Sequence, residues 1–307
     1  MGVTAFDKEE RFGNTLKIDT VHQCNCCFGN KTLHPLVSII DLSKANWADY
    51  SVKFSFYTIL LIENECDECI YGSKHYDYSN ATMIFLPPGQ SIYTDENNPL
   101  PRKGRLLAFH PNLICGTTLD MHIDRYTFFA YNPDEALHLS LREKTKATEC
   151  LNHIEQELQY SIDKLSKTII SRYIELLLDY SSRFYERQFI TRCEANKKLL
   201  GKMELLLDDY IRSGRLEDKV PPSAEYCSDI LNLSPCYFRD LLKFETGKTI
   251  DLYFQLKRIE TAKTMLSEGC NVNHVAGKLG FSSVQYFCKL FQKITGTAPD
   301  EYRVSRN

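Results

Sequence analysis

The sequence predicts an α+β protein of more than one domain, with a β-rich first part, two long helices and an all-helical last third. Three observations predict this class. Short apolar runs separated by turns recur between residues 36 and 123, a helical period begins after residue 132, and two helix-turn-helix patterns follow residue 223. A chain of 307 residues is roughly twice the usual domain size, so two domains are expected.

The first part alternates short apolar runs with turn clusters. Strand-length runs lie at 36–40, 54–62, 83–86 and 106–110, and turn residues such as Pro87-Pro88-Gly89 separate them. Several short strands with no helical period between them are typical of an antiparallel barrel or sandwich. We therefore assign residues 1–135 to a β-rich domain.

The apolar period changes to three or four residues after Pro133. It predicts two amphipathic helices at about 143–160 and 165–187, within a helical region of residues 136–192. Such helices can pack on the β-rich domain, pair with a second copy of the chain, or do both. The polar segment 187–198 predicts a linker into a third region, residues 193–307.

The third region contains two helix-turn-helix patterns. In the first, a helix at 224–231 is followed by Ser234-Pro235, a helix N-cap and a first-turn proline. In the second, a helix at 272–279 ends at Gly280, and the segment Ser282-Ser283-Val284-Gln285 predicts a capping box that opens the next helix.

A helix at 250–267 is predicted between these two units. The apolar residues expected along one of its faces are Leu252, Leu256, Ile259 and Leu266. Eighteen helical residues span about 27 Å. With the flanking turns, the second helices of the two units would lie about 34 Å apart, which is one turn of B-DNA.

Two sets of spaced residues in this region match a known pattern. The first set comprises Ser234-Pro235-x-Tyr237-Phe238, the segment 243–248, and Arg258-Ile259-Glu260-x-Ala262-Lys263. The second comprises the segment 279–283, Tyr286-Phe287-x-Lys289-x-Phe291, and the segment 295–303. In this order they resemble the two halves of the DNA-binding domain of the AraC/XylS family of transcription regulators.

The resemblance implies a sequence-specific transcription factor rather than an enzyme, with no cofactor. It implies double-stranded DNA and RNA polymerase as partners, a homodimer, and a cupin-like N-terminal domain that binds a small-molecule effector. It does not separate an activator from a repressor. No nucleophile–base signature or phosphate loop stands out, and the chain has no His-x-His pair of the kind that holds the metal of cupin enzymes.

The outer face of each second helix carries the candidates for DNA contact. Arg239 is the main one, because a guanidinium can donate two hydrogen bonds to guanine O6 and N7. Asp240 would accept from cytosine, repel phosphates or pair with Arg239, and Gln285 would either read adenine or serve the capping box. The base-contact candidates are Cys236, Arg239, Asp240, Val284, Gln285, Cys288 and Lys289; the backbone-contact candidates are Ser234, Lys243, Lys248, Ser282 and Lys293.

An aromatic set in the β-rich domain supplies candidates for an effector pocket. Rings with polar tips suit a small organic ligand, and ordinary strand packing is the alternative. The set comprises Tyr71, Tyr76, Tyr78, Phe85 and Tyr93.

Charge and cysteine content bound the remaining possibilities. The net charge is −3, but from Ala195 onward 17 basic residues face 14 acidic ones, a balance of +3 that is compatible with nucleic acid. No apolar run reaches membrane-spanning length, and the first twelve residues are too polar for a secretory signal, so a cytoplasmic protein is expected.

A metal- or redox-responsive binding protein is the alternative function. Two groups of the twelve cysteines have suggestive spacing, and together they would supply four thiolates to zinc or form a switchable disulfide. The two groups are Cys24, Cys26 and Cys27, and Cys66 and Cys69.

Overall fold

The computed structural model describes residues 15–44, 51–63, 77–78, 80–92, 103–218 and 220–304. The chain divides into two compact units, Met1–Arg192 and Cys193–Asn307.

The first unit combines strands with a helical C-terminal part. Its described strands are β1 Thr15–Ile18, β2 Val37–Asp41, β3 Ser51–Phe54, β4 Tyr57–Glu63, β5 Ala81–Leu86, β6 Ser91–Ile92, β7 Gly104–Phe109 and β8 Leu137–Leu139. Its described helices are α1 Val21–Cys27, α2 Pro111–Ile114, α3 Thr118–His122, α4 Leu141–Glu157 and α5 Ser166–Thr191. The short helices α1, α2 and α3 were not indicated by the apolar period.

The described strands form two sheets. One has three strands in the order β1-β3-β6, and the other has five antiparallel strands in the order β2-β7-β4-β5-β8. Strand β4 lies in the middle of the larger sheet and its central residues are buried on both faces, which explains its uninterrupted apolar run.

The described strands do not close into a barrel, which was one of the two predicted arrangements. At the outer edge of β8, the backbone N–H of His138 donates to Gln188 Oε1 (2.8 Å), and Gln188 Nε2 donates to the Ala136 carbonyl (3.0 Å). Arg187 Nη2 donates to the His138 carbonyl (2.6 Å). Side chains of α5 therefore satisfy this sheet edge in place of another strand.

The predicted linker at 187–198 is wrong. Helix α5 continues to Thr191, and α6 begins at Cys193. The polar residues there make interior contacts: the buried Arg192 guanidinium forms two bonds to the Asp77 carboxylate (2.9 and 2.7 Å), and the buried Asn196 donates to Glu245 (2.7 Å). Polarity in this segment thus marks buried pairs rather than a solvated connection.

The second unit is entirely helical in its described part. Its helices are α6 Cys193–Arg212, α7 Ala224–Leu231, α8 Pro235–Thr246, α9 Ile250–Ser267, α10 Val272–Lys278, α11 Val284–Thr295 and α12 Pro299–Val304. The helix bounds predicted from the sequence for α7, α9 and α10 are confirmed to within one residue, and α8 begins at Pro235 as the Ser234-Pro235 pair predicts. Four aromatic side chains of α8 and α11 are buried, namely Tyr237, Phe238, Phe287 and Phe291.

The buried face of α9 matches the predicted one in part. Ile259 and Leu266 are buried as expected, whereas Leu252 is exposed and Leu256 is half-buried. A stripe at intervals of four residues is also buried, and its members are Ile250, Phe254, Arg258, Ala262 and Leu266. None of the helices in the described ranges is long and apolar enough to cross a membrane.

Candidate nucleic-acid interface

The first helix-turn-helix unit consists of α7, a short turn and α8. Asn232 ends α7 in the left-handed conformation (φ 53°, ψ 48°), and the N–H of Leu233 donates to the Ser228 carbonyl (2.9 Å). Ser234 then caps α8 by accepting from the Tyr237 N–H (3.2 Å), and Pro235 occupies the first helical position. The turn is therefore closed by residues of the unit itself.

The outer face of α8 presents Arg239 in a bonded state. Its guanidinium lies 3.0 Å from the Glu225 carboxylate of α7 and 3.2 Å from the Cys236 sulfur. The contact with Cys236, together with the pairing to Glu225, raises the pKa of Arg239 above its ordinary value. Arg239 is thus held by Glu225 and Cys236 rather than by Asp240, which was the pairing considered from the sequence.

The second helix-turn-helix unit consists of α10, its turn and α11. Ser283 caps α11 by accepting from the Tyr286 N–H (3.1 Å). The predicted capping box is therefore wrong by one residue, since Gln285 lies at the second helical position and Ser282 precedes the cap. The Gln285 side chain is exposed and takes no part in the cap.

The outer face of α11 carries positive charge only. Gln285, Lys289 and Lys293 are exposed, Val284 and Cys288 are half-buried, and the helix contains no acidic residue. Burial raises the pKa of the Cys288 thiol, so this side chain is a neutral group at neutral pH.

The turn of the second unit is held by residues from outside it. Gly280 adopts a positive φ (+68°), and a Cβ built there would meet the Leu216 backbone carbonyl. Arg258 of α9 is buried, and its Nη1 donates to the carbonyls of Leu279 (3.1 Å) and Gly280 (3.4 Å). Burial lowers the pKa of Arg258 from its ordinary value.

Helix α6 braces the helix that connects the two units. Tyr253 of α9 donates to Glu204 (2.6 Å), and the ammonium of Lys257 lies 3.0 Å from Asp208. Desolvation and the nearby Glu204 raise the pKa of Tyr253 to about 12, so it remains a neutral donor. These contacts fix α9 against α6 in addition to the apolar core.

The backbone-contact candidates differ in accessibility. Lys243, Ser282 and Lys293 are exposed. Lys248 is half-buried and its ammonium donates to the Thr246 carbonyl (3.1 Å). Ser234 is buried, and its hydroxyl is used in the cap of α8.

Two of the effector-pocket candidates lie within the described residues. Phe85 is buried in an aromatic cluster, with its ring 4.4 Å from Phe128 and 5.7 Å from Phe129 between centroids. Tyr78 is exposed, and the Arg187 guanidinium lies 4.8 Å from its ring centroid. The other three candidates, Tyr71, Tyr76 and Tyr93, lie outside the described residues.

The thiols of the alternative function are only partly described. Cys24 is buried in the core, which raises the pKa of its thiol, whereas Cys26 and Cys27 are exposed on α1. Cys66 and Cys69 lie outside the described residues. Within the described ranges, no three His, Cys, Asp or Glu side chains come together in a way that would hold a metal ion.

Two residues of the interface were missed from the sequence. Arg258 interrupts the buried apolar stripe of α9, and a charged residue at that spacing is a signal that could have found it. Glu225 left no such signal, because its contact with Arg239 joins two helices and depends on the angle of the turn between them.

Comparisons with known proteins bear on the C-terminal compact unit, Cys193–Asn307. A family model described as a helix-turn-helix domain matches residues 227–305, which run from within α7 through the end of the second helix-turn-helix unit. Residues 227–305 are an AraC/XylS-type helix-turn-helix domain.

Named relatives of this AraC/XylS-type domain are transcription regulators. The probable transcriptional regulator LumQ of Photobacterium leiognathi is 27% identical over 146 residues, which is 47% of this chain and 54% of the relative. The regulatory protein PocR of Salmonella typhimurium is 33% identical over 112 residues, covering 36% of this chain and 33% of the relative. The chain thus spans about half or less of the length of these relatives.

Solved structures also align with the chain. A DNA-binding transcriptional dual regulator from Escherichia coli K-12 is 21% identical, covers 34% of this chain and 91% of its own, and has a TM-score of 0.29. ToxT from Vibrio cholerae O395 is 15% identical, and the alignment covers 88% of this chain and 96% of ToxT, with a TM-score of 0.28. Superpositions with scores this low do not establish a shared overall fold.

Proposed function

We propose that this protein is a sequence-specific DNA-binding transcription regulator that places α8 and α11 in two successive major grooves. The observation that carries the proposal is the tandem arrangement of two helix-turn-helix units in an AraC/XylS-type domain, each with polar side chains exposed on its second helix. The 18-residue helix α9 between them spans about 27 Å, which suits grooves one turn of B-DNA apart.

Each second helix would read bases with its own chemistry. Arg239 would leave Glu225 and donate to guanine O6 and N7, while Gln285 would pair with adenine N6 and N7. Val284 suits a thymine methyl group, and Lys289 suits guanine or a phosphate. Lys243 and Lys293, both exposed, would contact phosphates and add affinity without sequence preference.

The N-terminal compact unit, Met1–Arg192, would regulate this binding. The resemblance implies a small-molecule effector, a homodimer and contact with RNA polymerase, and these form the regulatory part of the proposal. Leu176 and Ile190 are large apolar residues exposed on α5 and are suited to a helix-to-helix dimer contact. Sedimentation of the full chain tests this part, because a strictly monomeric protein on and off DNA would contradict it.

Selection from a random double-stranded DNA library with the full chain tests the main proposal. We expect a motif of two blocks about one helical turn apart. Arg239→Ala should flatten one block, with a loss of about 1–3 kcal/mol at its base pair.

The matched control is Arg212→Ala, which removes an exposed arginine from α6. It should leave both blocks unchanged. Equal losses of Arg239→Ala binding to selected and scrambled DNA at fixed salt would contradict base reading by Arg239.

A further inference from the structure

The turn before α11 is held by an arginine that belongs to neither helix of its unit. We propose that Arg258 of α9 is a positioning residue for base reading: it fixes the turn 279–283 and, through Phe281, the direction in which α11 leaves that turn. The inference rests on the proposed function, since its consequence is how well α11 reads DNA.

Arg258 occupies a place where a charge needs a specific reason. The whole residue is only 8% exposed, and it lies on the buried stripe of α9. Among the described residues, no carboxylate lies within ion-pair distance of it, so charge neutralisation does not explain its burial. Its guanidinium instead lies 4.2 Å from the Phe281 ring centroid and 5.4 Å from that of Phe254. Aromatic faces and carbonyl oxygens take the place of water around it.

The two carbonyls that Arg258 binds lie at the C-terminus of α10 and just beyond it, because Leu279 is the C-cap residue and Gly280 follows it. The last carbonyls of a helix have no partner within the helix and need donors from elsewhere. Backbone N–H groups close the turn, with Phe281 donating to the Ala276 carbonyl (3.0 Å), and the carbonyls of Leu279 and Gly280 accept from Arg258 Nη1.

The same turn also packs against Leu216. The Leu216 backbone occupies the space where a Gly280 side chain would lie. The turn is therefore in contact with Leu216 and bonded to Arg258, and loss of the guanidinium would leave it without the second of these restraints.

Phe281 passes the position of the turn to α11. Its ring centroid lies 4.9 Å from that of Phe287 and 6.3 Å from that of Tyr286, both in the first half of α11. The Arg258 guanidinium lies over the same Phe281 ring, 4.2 Å from its centroid. A planar guanidinium both stacks and donates in a fixed fork, whereas a lysine ammonium is a point donor that does neither in this way.

The test uses the full chain and the same random DNA selection. Arg239→Ala and Gln285→Ala in the otherwise unchanged chain assign one motif block to α8 and the other to α11. Arg258→Met and Arg258→Lys should then lower the preference within the α11 block by about tenfold while leaving the α8 block within about twofold. Lys263→Met, which removes a half-buried cation paired with Glu260 on the same helix, should change neither block.

Sequence preference separates positioning from simple loss of fold. Partial unfolding lowers the fraction of active protein, but it does not change the preference of the molecules that bind. If Arg258→Met cannot be purified, Arg258→Lys and Phe281→Leu are the variants measured, since they keep the charge or the guanidinium.

Three outcomes discriminate between the ideas. A loss confined to the α11 block supports the inference. Equal losses in both blocks, or no change in either, overturn it while the proposed function stands. Absence of any motif with the unaltered chain overturns the proposed function, and the inference with it.

Discussion

The two helix-turn-helix units share one pattern but close their turns differently. The first turn uses Asn232 in the left-handed conformation and bonds within its own unit. The second has the equivalent backbone bond, from the Phe281 N–H to the Ala276 carbonyl, and in addition its Gly280 lies against the Leu216 backbone and is bonded by Arg258. The first turn is thus determined by nearby residues, whereas the second also depends on residues that lie far away along the chain.

Their second helices also differ in charge. Helix α8 carries two basic and two acidic residues, and its Arg239 is already paired with Glu225. Helix α11 carries Lys289 and Lys293 and no acidic residue. Under the proposed function, α11 would contribute more to the general attraction for phosphates, and α8 would give up an internal contact on reading a base.

Gly280→Ala should have the largest effect, because it breaks the turn that depends on tertiary contacts. A side chain at positive φ is strained, and this one would also meet the Leu216 carbonyl. We expect a loss of about 2–4 kcal/mol in the free energy of unfolding of the C-terminal compact unit. Hydrogen exchange of the α9 amides in the full chain measures it.

Gly247→Ala is the matched control for that variant. Gly247 ends α8 with almost the same φ (+69°), but a Cβ there meets nothing within 4 Å. Its cost should be about 1–2 kcal/mol, from the backbone conformation alone. If the two alanine variants lose equal stability, Leu216 does not restrain the second turn.

Gly277→Ala should stabilise the second helix-turn-helix unit, and so reduce its dependence on distant contacts relative to the first. Gly277 lies inside α10 with ordinary helical geometry, and a Cβ there meets nothing within 4 Å. Alanine in a helix interior is favoured over glycine by about 1 kcal/mol. The same exchange measurement should show slower opening, and faster opening would mean that α10 needs its flexible residue.

Glu225→Gln should have the smallest effect and makes the charge of the first unit more like that of the second. It removes the carboxylate that competes with DNA for Arg239, so DNA affinity should rise a few-fold. Titration of the selected DNA at fixed salt measures the change. Asp229→Asn removes the same charge from α7, and a rise of equal size there would show that Glu225 acts only through net charge.

Much of the helical unit could be predicted from residue order alone. Ser234-Pro235 marks the start of α8, Gly280 marks the second turn, and the apolar spacing places α7, α9 and α10. These signals are local, because capping, proline geometry and positive φ depend on one or two residues.

The errors arose where a local signal had two solutions. Two adjacent serines precede α11, and the cap is Ser283 rather than Ser282, which moves Gln285 out of the capping box. The polar segment 187–198 also allowed a linker or buried pairs, and Arg192 with Asp77 decided for the pairs. Among the described strands, the choice between barrel and sandwich was open for the same reason, since apolar strands do not specify which edges side chains will cover.

The sequence by itself determined the helices of the C-terminal compact unit and the resemblance that points to DNA. Only the tertiary structure decided that Arg239 is held by Glu225, that Gly280 lies against Leu216, and that Arg258 binds the second turn. The physical reason is distance along the chain. Caps and periods are written in neighbouring residues, whereas these contacts join elements that meet only when the helices pack.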